Sequence, residues 1–396
     1  MEDVVLVDYL RTAFSRSRPK QPERDVFYNL RMDDAAAMLI KEMIKRTGVK
    51  PEEIDDVIFG SAFQVGEQWL YGGRAIGLLA NLPENVPCIG VDRQCGSSMS
   101  AIHIGAMEIM TGNSEIIIAG GLEHMTHVPM HDNPHVEYNM RFIQDPELKH
   151  WEMNVGFVMG LTAERLFEEA EFLTKEDLDK WALRSHQLAT KALNEGYFKG
   201  EILPIEVTLA DGTKAVIDRD QSIRPDTSLE KIASLPPAFK PGGVITAGNS
   251  SPLNAGATAV MLMSEKKAKE YGLEPLAKIR SMGWAGVHPA VMGKGPVPAS
   301  QKALQKAGLK PSEIDYWEIN EAFAVVTLYA IYKLGIEPEK VNIKGGAIAI
   351  GHPLGATGAR LVGTLARILR EKGADYGLAT ACIGGGQGIA TVIERV

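Results

Sequence analysis

The chain predicts an α/β protein of two duplicated halves that share a buried helical layer, with a large insertion between them. Three observations predict it. A segment near the start recurs near the end. The same order of strand, sharp turn, helix and strand follows each copy. The stretch between the halves differs in composition from both.

The repeat is the clearest of the three. Residues 44–63, IKRTGVKPEEIDDVIFGSAF, align without gaps to residues 304–323, LQKAGLKPSEIDYWEINEAF, with eight identities in twenty positions. Gly48 matches Gly308, Pro51 matches Pro311, Asp55 matches Asp315 and Phe63 matches Phe323. Each copy reads as the end of an amphipathic helix, a Gly stop, a Pro turn and a short strand. The common use of Gly and Pro between helix and strand accounts for only part of this match.

In the first half, a strand over 87–91 leads to Cys95-Gly96-Ser97-Ser98, a helix over about 99–110 and a strand over 115–119. In the second, a short strand over 341–343 leads to a Gly-rich turn over 345–358, a helix to about 371, and strands over 377–381 and 388–393. This order predicts parallel α/β sheets. The helix after Cys95 carries Met99, Ile102, Ile104, Met107, Ile109 and Met110, apolar almost all round, so it is buried. The predicted division is a first half over 1–122, continued by 250–274, and a second half over 275–396. Residues 123–249, rich in His, Met, Pro and charge, form the insertion, with helices near 161–170 and 174–195. Long insertions on a scaffold commonly carry substrate-binding and contact loops.

Composition excludes several classes. With 45% hydrophobic and 23% charged residues the chain is not disordered. A net charge of −8 argues against nucleic acid and against an anionic membrane surface. Three Cys are no disulfide framework and point to a reducing compartment. The N-terminus has no basic region followed by a long apolar one, so it is not a secretory signal. The longest apolar stretch, 322–332, is about half of the roughly 20 residues that span a bilayer. The expectation is a soluble, cytoplasmic protein with no membrane insertion.

Four places could carry chemistry. Cys95 sits where a strand turns into a helix, and free amides and the helix dipole there stabilise a thiolate or an oxyanion. A lone Cys is otherwise usually buried and inert. His352 lies in GGAIAIGHPLGATGAR, at nearly the place in its half that Cys95 holds in the other. That spacing fits neither a P-loop nor a dinucleotide motif. A Cys and a His facing each other across a pseudo-twofold axis make an activated nucleophile. Cys382 heads CIGGGQG, which sets backbone N–H groups beside a thiol, as an oxyanion hole needs. It also reads as a plain Gly-rich turn. Asn320 stands where the first copy has Gly60, so duplication alone does not explain it. Its amide can hold a water or a carbonyl oxygen, or simply form a turn.

These elements, in this order, resemble the thiolase family. They are Arg93-Gln94-Cys95-Gly96-Ser97-Ser98, Asn320-Glu321-Ala322-Phe323, Gly351-His352-Pro353 and Cys382-Ile383-Gly384-Gly385-Gly386. The resemblance covers essentially the whole chain. Gly121 to Met125 and Gly160 to Glu164 look most like the degradative 3-ketoacyl-CoA thiolases of fatty-acid β-oxidation. The resemblance implies the layered αβαβα thiolase fold with a loop domain, and a ping-pong reaction. It assigns Cys95 as the nucleophile, His352 as its base and Cys382 as the acid–base on the acetyl-CoA enolate. The backbone amides of Cys95 and Gly384 would form one oxyanion hole, and His352 with a water on Asn320 the other. Arg224 and Ser251 would contact CoA; Met159, Phe239, Met292 and Phe323 would line the pantetheine and acyl channel. CoA is a substrate, so no cofactor and no metal are implied. The family is typically dimeric or tetrameric, and a complex with other β-oxidation enzymes is possible.

One departure stands out. Short-chain biosynthetic thiolases usually carry His just before the residue matching Met159, and this chain has Val158. That favours a wider acyl range. His124, His127, His131 and His135 invite a metal hypothesis, but Pro129 and Pro134 break a helix that would align them, and no acidic or Cys partner is evident in sequence. Alternatives are an acetoacetyl-CoA thiolase, a ketoacyl synthase, a nicotinamide dehydrogenase and a non-catalytic acyl-CoA scaffold. The synthase would pair its nucleophile with two His, the dehydrogenase lacks its glycine spacing, and a scaffold would be expected to lose Cys95 or Cys382.

Overall fold

Nine strands form one sheet in the order β3-β2-β4-β7-β1-β8-β11-β10-β9. The structure is a computed structural model and describes residues 2–396. The strands are β1 (Val4–Arg11), β2 (Asp56–Gly60), β3 (Cys88–Val91), β4 (Ile116–His124), β7 (Ala255–Ser264), β8 (Ala277–Gly286), β9 (Tyr316–Ile319), β10 (Tyr376–Ile383) and β11 (Gln387–Glu394). Two more, β5 (Ile205–Thr208) and β6 (Lys214–Ile217), make a hairpin in the insertion. The two halves meet where β1 pairs with β8 at only Val5–Lys278 and Leu6–Ala277.

The halves are mixed, not parallel as the sequence predicts. Only β2–β3, β2–β4 and β9–β10 are parallel. β10 and β11 are joined by the three-residue turn Gly384–Gly386, and so short a link permits only antiparallel pairing. β7 returns antiparallel to β4 and to β1 after the insertion.

Seven longer helices matter: α1 (Met32–Thr47), α2 (Ser97–Met110), α3 (Met159–Glu169), α4 (Lys175–Asn194), α5 (Pro296–Ala307), α6 (Ala324–Leu334) and α7 (Leu354–Lys372). Alternation along the strands sorts them into layers. Val5 and Val7 of β1 pack in a core with Leu39, Ile40 and Met43 of α1. Val4 and Leu6 face the other way, into a core with Ile102 of α2 and Leu365 of α7. That middle core also takes Ala379 and Ile383 of β10, so α2 and α7 lie between the two halves of the sheet. α5 and α6 cover the far face of the second half, over Trp317, Leu378 and Val392. The result is the αβαβα layering. α2 and α7 approach closely: a Cβ on Gly358 would lie 2.5 Å from the Met99 nitrogen.

Both repeat copies fold alike. Gly48 (φ 67°) ends α1 and Gly308 (φ 72°) ends α5, each in the left-handed conformation that glycine adopts freely. Asp55 then accepts the N–H groups of Glu115 and Ile116, and Asp315 those of Asp375 and Tyr376. The same carboxylate thus anchors the neighbouring parallel strand twice. The expected strand over 341–343 is reduced to one bridge, Trp317–Val341. Asn342 sits at φ 50°, and its side-chain amide, not its backbone, pairs with both the N–H and the carbonyl of Ile319.

In the insertion, Thr174 caps α4 through a reciprocal bond with Asp177. Buried Arg11 bonds Asp220 at 2.7 Å and Glu201 at 2.8 Å, tying the insertion to β1. Among the described residues no helix is long and apolar enough to cross a membrane.

Candidate active site

The sheet topology places the starts of α2 and α7 side by side, and with them Cys95 and His352. Ala359 donates its N–H to Ser98 Oγ at 2.9 Å, which fixes one helix start against the other. Cys95 lies in the single 3₁₀ turn, Gln94–Gly96, that leads into α2. The residue before it, Gln94, has φ 45°, a conformation that L-residues adopt at a cost. Its N–H and side chain bond Asp92, and its side chain also reaches the Ala62 carbonyl.

His352 follows Gly351, whose φ of 120° suits only glycine; a Cβ there would meet the Asn254 amide at 2.7 Å. That contact is used: Asn254 Oδ1 accepts the His352 N–H at 2.7 Å. The ring is held at both nitrogens. Thr357 donates its hydroxyl to the Pro353 carbonyl, so its oxygen accepts from His352 Nδ1–H at 2.7 Å. Nε2 is then the basic nitrogen, 3.2 Å from Asn320 Nδ2. Asn320 is fully buried, and its Oδ1 has no partner in the protein. Such an atom is a place for a water or a substrate donor.

Cys95, His352 and Gly384 line one cleft with about 120 Å³ of free interior. Met159, Phe239, Ser251, Met292 and Phe323 line it too. Phe239 stands at the rim, edge-on to Phe323 at 5.9 Å, and crosses so close to Gly160 that a Cβ there would lie 2.1 Å from its ring. Arg224 is exposed and outside the cleft wall. Cys382 is fully buried behind the wall, near enough to Cys95 for their charges to interact.

Burial opposes the amides at the helix start. Burial pushes the Cys95 thiol up to about 12, against the pull of the Gly384 and Cys95 amides, and the Glu123 carboxylate raises it further. The helix start does not by itself make a thiolate, because desolvation outweighs it. Burial, then the Cys95 charge, raises the Cys382 thiol as well. Burial lowers His352 to about 3, with the Arg360 cation adding to it. Burial thus favours the thiol form of both cysteines and the neutral form of the imidazole.

Sequence reading missed three supports. Glu123 is fully buried and accepts the N–H groups of Ala62 and Gly355, both at 2.9 Å, so it joins the loop after β2 to the turn after His352. Burial raises its carboxyl to about 7 despite these bonds. Glu321 holds Trp181, Ser185, Asn342 and the Ile348 N–H. Asn254 was not singled out either. Buried acids within motifs were the available signal; their partners are distant in sequence.

The histidine-rich stretch also needs correcting. An acidic partner does exist: Glu67 lies with His124 and His127. The two rings stack at 3.6 Å, and His127 Nδ1 is 3.0 Å from Glu67. Nε2 of each ring faces a backbone carbonyl, Phe27 or Tyr28, so the proton sits there, while Nδ1 of His124 accepts the His127 N–H at 3.4 Å and Nδ1 of His127 meets the carboxylate. His131 is elsewhere, on the cleft wall.

Comparison with known proteins follows the same lines. The thiolase N-terminal domain matches residues 4–266 and the thiolase C-terminal domain residues 273–395. The chain is 46% identical to a 3-ketoacyl-CoA thiolase of Marinobacter nauticus, over 100% of this chain and 98% of that one. It is 45% identical to one of Hahella chejuensis, with the same coverage. Human mitochondrial 3-ketoacyl-CoA thiolase has a similar structure, with a TM-score of 0.89 and 36% identity over 100% of this chain and 99% of that one. A structure of that human enzyme in complex with CoA gives a TM-score of 0.88 and 35% identity, over 100% and 98% of the two chains. The Bacillus anthracis acetyl-CoA acetyltransferase gives a TM-score of 0.87 and 37% identity, over 100% and 99%. With both domains matched and full-length relatives at nearly half identity, this chain belongs to the thiolase family.

Proposed function

We propose that the protein is a 3-ketoacyl-CoA thiolase, cleaving a 3-ketoacyl-CoA with CoA into acetyl-CoA and an acyl-CoA two carbons shorter. The observation that carries this reading is the meeting of Cys95, neutral His352 and the Gly384 amide on one mostly apolar cleft, with the Cys382 thiol behind it.

His352 Nε2 takes the Cys95 proton as the sulfur attacks the 3-keto carbon. The amides of Cys95 and Gly384 receive the tetrahedral oxyanion. The C2–C3 bond breaks, leaving the acyl group on Cys95 and an acetyl-CoA enolate. Cys382 protonates the enolate at carbon, while His352 and a water on Asn320 stabilise its oxygen. The thiol of a second CoA, deprotonated by Cys382 or His352, then takes the acyl group. The reverse sequence is a Claisen condensation. Met159, Phe239, Met292 and Phe323 guide the pantetheine and acyl chains, and Ser251 and Arg224 hold CoA. The steps use no metal or organic cofactor.

We place residues 123–249 as the loop domain for CoA and subunit contacts, over halves formed by 1–122 with 250–274 and by 275–396. A homodimer or homotetramer is supported by β3, an edge strand whose Ile89 is exposed, on a surface with exposed Leu78 and Leu79. Three free cysteines suit the cytoplasm. A complex with other β-oxidation enzymes is compatible with this role.

Thiolysis assays across 3-ketoacyl-CoA lengths test the reading. Turnover is expected with 3-ketooctanoyl- and 3-ketohexadecanoyl-CoA. A preference for acetoacetyl-CoA above about a thousandfold, roughly 4 kcal/mol, would instead assign a biosynthetic acetoacetyl-CoA thiolase. Cys95→Ser is expected to retain the fold and lose nearly all thiolysis; full activity in that variant would exclude Cys95 as nucleophile.

A further inference from the structure

Arg16, Arg18 and Arg224 gather near the cleft, with Arg24 further along in a hollow of its own beside Glu23, Asp25 and Asp211. Residues 14–17 run between two other segments. On one side, Gln221 donates its N–H to the Phe14 carbonyl at 2.9 Å, and Asn254 Nδ2 bridges the Ser15 carbonyl at 2.6 Å and Ser222 Oγ at 3.2 Å. This ladder brings Arg16 level with Ile223 and Arg224. On the other side, Ser15 and Ser17 donate to the carbonyls of Ala255 at 2.9 Å and Leu253 at 2.8 Å. Leu253 is part of the cleft wall, as is Ser251. The backbone at Arg16 is therefore flanked on one side by the segment of the proposed CoA contact Arg224, whose charge acts on it, and on the other by the segment that supplies Leu253 to the cleft wall.

Arg18 is next, its N–H bonded to Thr126 Oγ at 2.8 Å, and its carbonyl accepts from Gln21 in the turn that carries Arg24. Among the described residues none of the four arginines is ion-paired. Two acids near Arg16 and Arg18 are committed, Asp220 to Arg11 and the Phe14 N–H, and Asp25 to Ser17, Thr126 and Phe27, while Glu23 and Asp211 lie on the Arg24 side. Arg18 Nε is buried with no partner at all. Burial and then the charges of Arg224, Arg18 and Arg24 push Arg16 down to about 10. Such a concentration of unpaired guanidinium groups is costly unless an anion neutralises it. It is also local, because the chain as a whole carries −8.

We infer that Arg16 and Arg18 extend the Arg224 contact into a cradle for the phosphate groups at the nucleotide end of CoA. Guanidinium forks suit phosphate oxygens and keep their charge at any working pH. The cradle then supplies binding energy far from the reacting carbon, and steers a polyanionic substrate onto a protein that otherwise repels it. This rests on the thiolase reading for the identity of its ligand.

The test compares acetoacetyl-CoA with acetoacetyl-pantetheine, which bears the same thioester and no phosphate. In the double variant Arg16→Gln with Arg18→Gln, KM for acetoacetyl-CoA is expected to rise about tenfold or more, with kcat within about twofold. The ratio of kcat/KM for the CoA ester over the pantetheine ester falls by the same factor, and its salt dependence flattens. Arg16→Lys in place of Arg16→Gln recovers part of the loss. An equal fall on both esters, or an unchanged KM for the CoA ester, overturns the cradle. Calorimetric titration with CoA separates the two readings. If the parent protein turns over neither ester, the thiolase reading fails, and the cradle still stands or falls on whether the double variant weakens CoA binding about tenfold or leaves it unaltered. Equal unfolding midpoints of parent and variant show that the fold is intact.

Discussion

Cys382 illustrates how burial shapes chemistry at the scale of one side chain. It is fully buried, and both burial and the neighbouring Cys95 charge hold it as a thiol. In the proposed reaction a thiol in that position donates its proton to carbon. Cys382→Ala should still accept an acyl group on Cys95 from an activated acyl-CoA. It should lose exchange of the acetyl-CoA α-protons by about 10²–10⁴-fold, read by deuterium incorporation. Normal exchange would remove Cys382 from the proposed role. Thr357 tests the other partner, because with Asn320 it sets which His352 nitrogen is basic. Thr357→Val removes the acceptor for Nδ1–H, so kcat should fall by about tenfold or more while KM changes little.

The element that repeats most faithfully is the helix–turn–strand of the two copies. Gly48 and Gly308 close the helices, and Asp55 and Asp315 seize two backbone N–H groups at the start of the adjoining strand. The carboxylate replaces ladder bonds that β4 and β10 cannot make at their first residues. Asp315→Ala leaves two donors of Asp375 and Tyr376 without this partner. It should lower unfolding stability by about 1–2 kcal/mol in denaturant titration, with thiolysis per folded molecule retained. Gly60 and Asn320 show where the copies diverge. A Cβ at Gly60 would lie 2.6 Å from Ser97, because α2 starts directly against β2. At the matching point in the second half the side chain has room, and Asn320 uses it to reach His352.

At the scale of the whole molecule, buried neutral histidines contribute to the loss of stability in acid. His103 is buried between α2 and β11, bonded to Thr391 Oγ at 2.8 Å, and burial, then Arg93 and Lys306, lowers it to about 3. Its folded pKa is depressed, so its contribution is complete above the unfolded value near 6.5 and is lost as pH falls toward 3. Between pH 7 and pH 5 that loss is about 2 kcal/mol from this residue. His103→Gln, which keeps a hydrogen-bonding side chain but cannot charge, should flatten the stability-versus-pH curve over that range. An unchanged slope would show that His103 does not titrate on unfolding.

Much of the architecture was legible because it rests on local rules. The Gly stops, the Pro turns and the apolar all-round helix over 97–110 follow from φ preferences and burial, and the repeat reveals the duplication. The motif residues Cys95, His352, Cys382 and Asn320 could be singled out for the same reason: each stands at a turn whose type is written in its neighbours. The direction of β7 could not be read, since it depends on which edge the chain returns to after 130 or so residues of insertion, whereas the short link between β10 and β11 does carry their antiparallel pairing. Nor could the state of Cys95 be read, since the favourable helix start is local while desolvation comes from residues distant in sequence. The bonds of Glu123 to Gly355 and of Asn254 to His352, and the approach of the Arg224 charge to Arg16, join segments far apart in the chain. The sequence by itself thus determined the duplicated α/β scaffold and the reactive residue types, because both are encoded over a few neighbouring positions. Only the tertiary structure decided sheet polarity, protonation and the arginine rim, because each is a sum over neighbours that folding alone brings together.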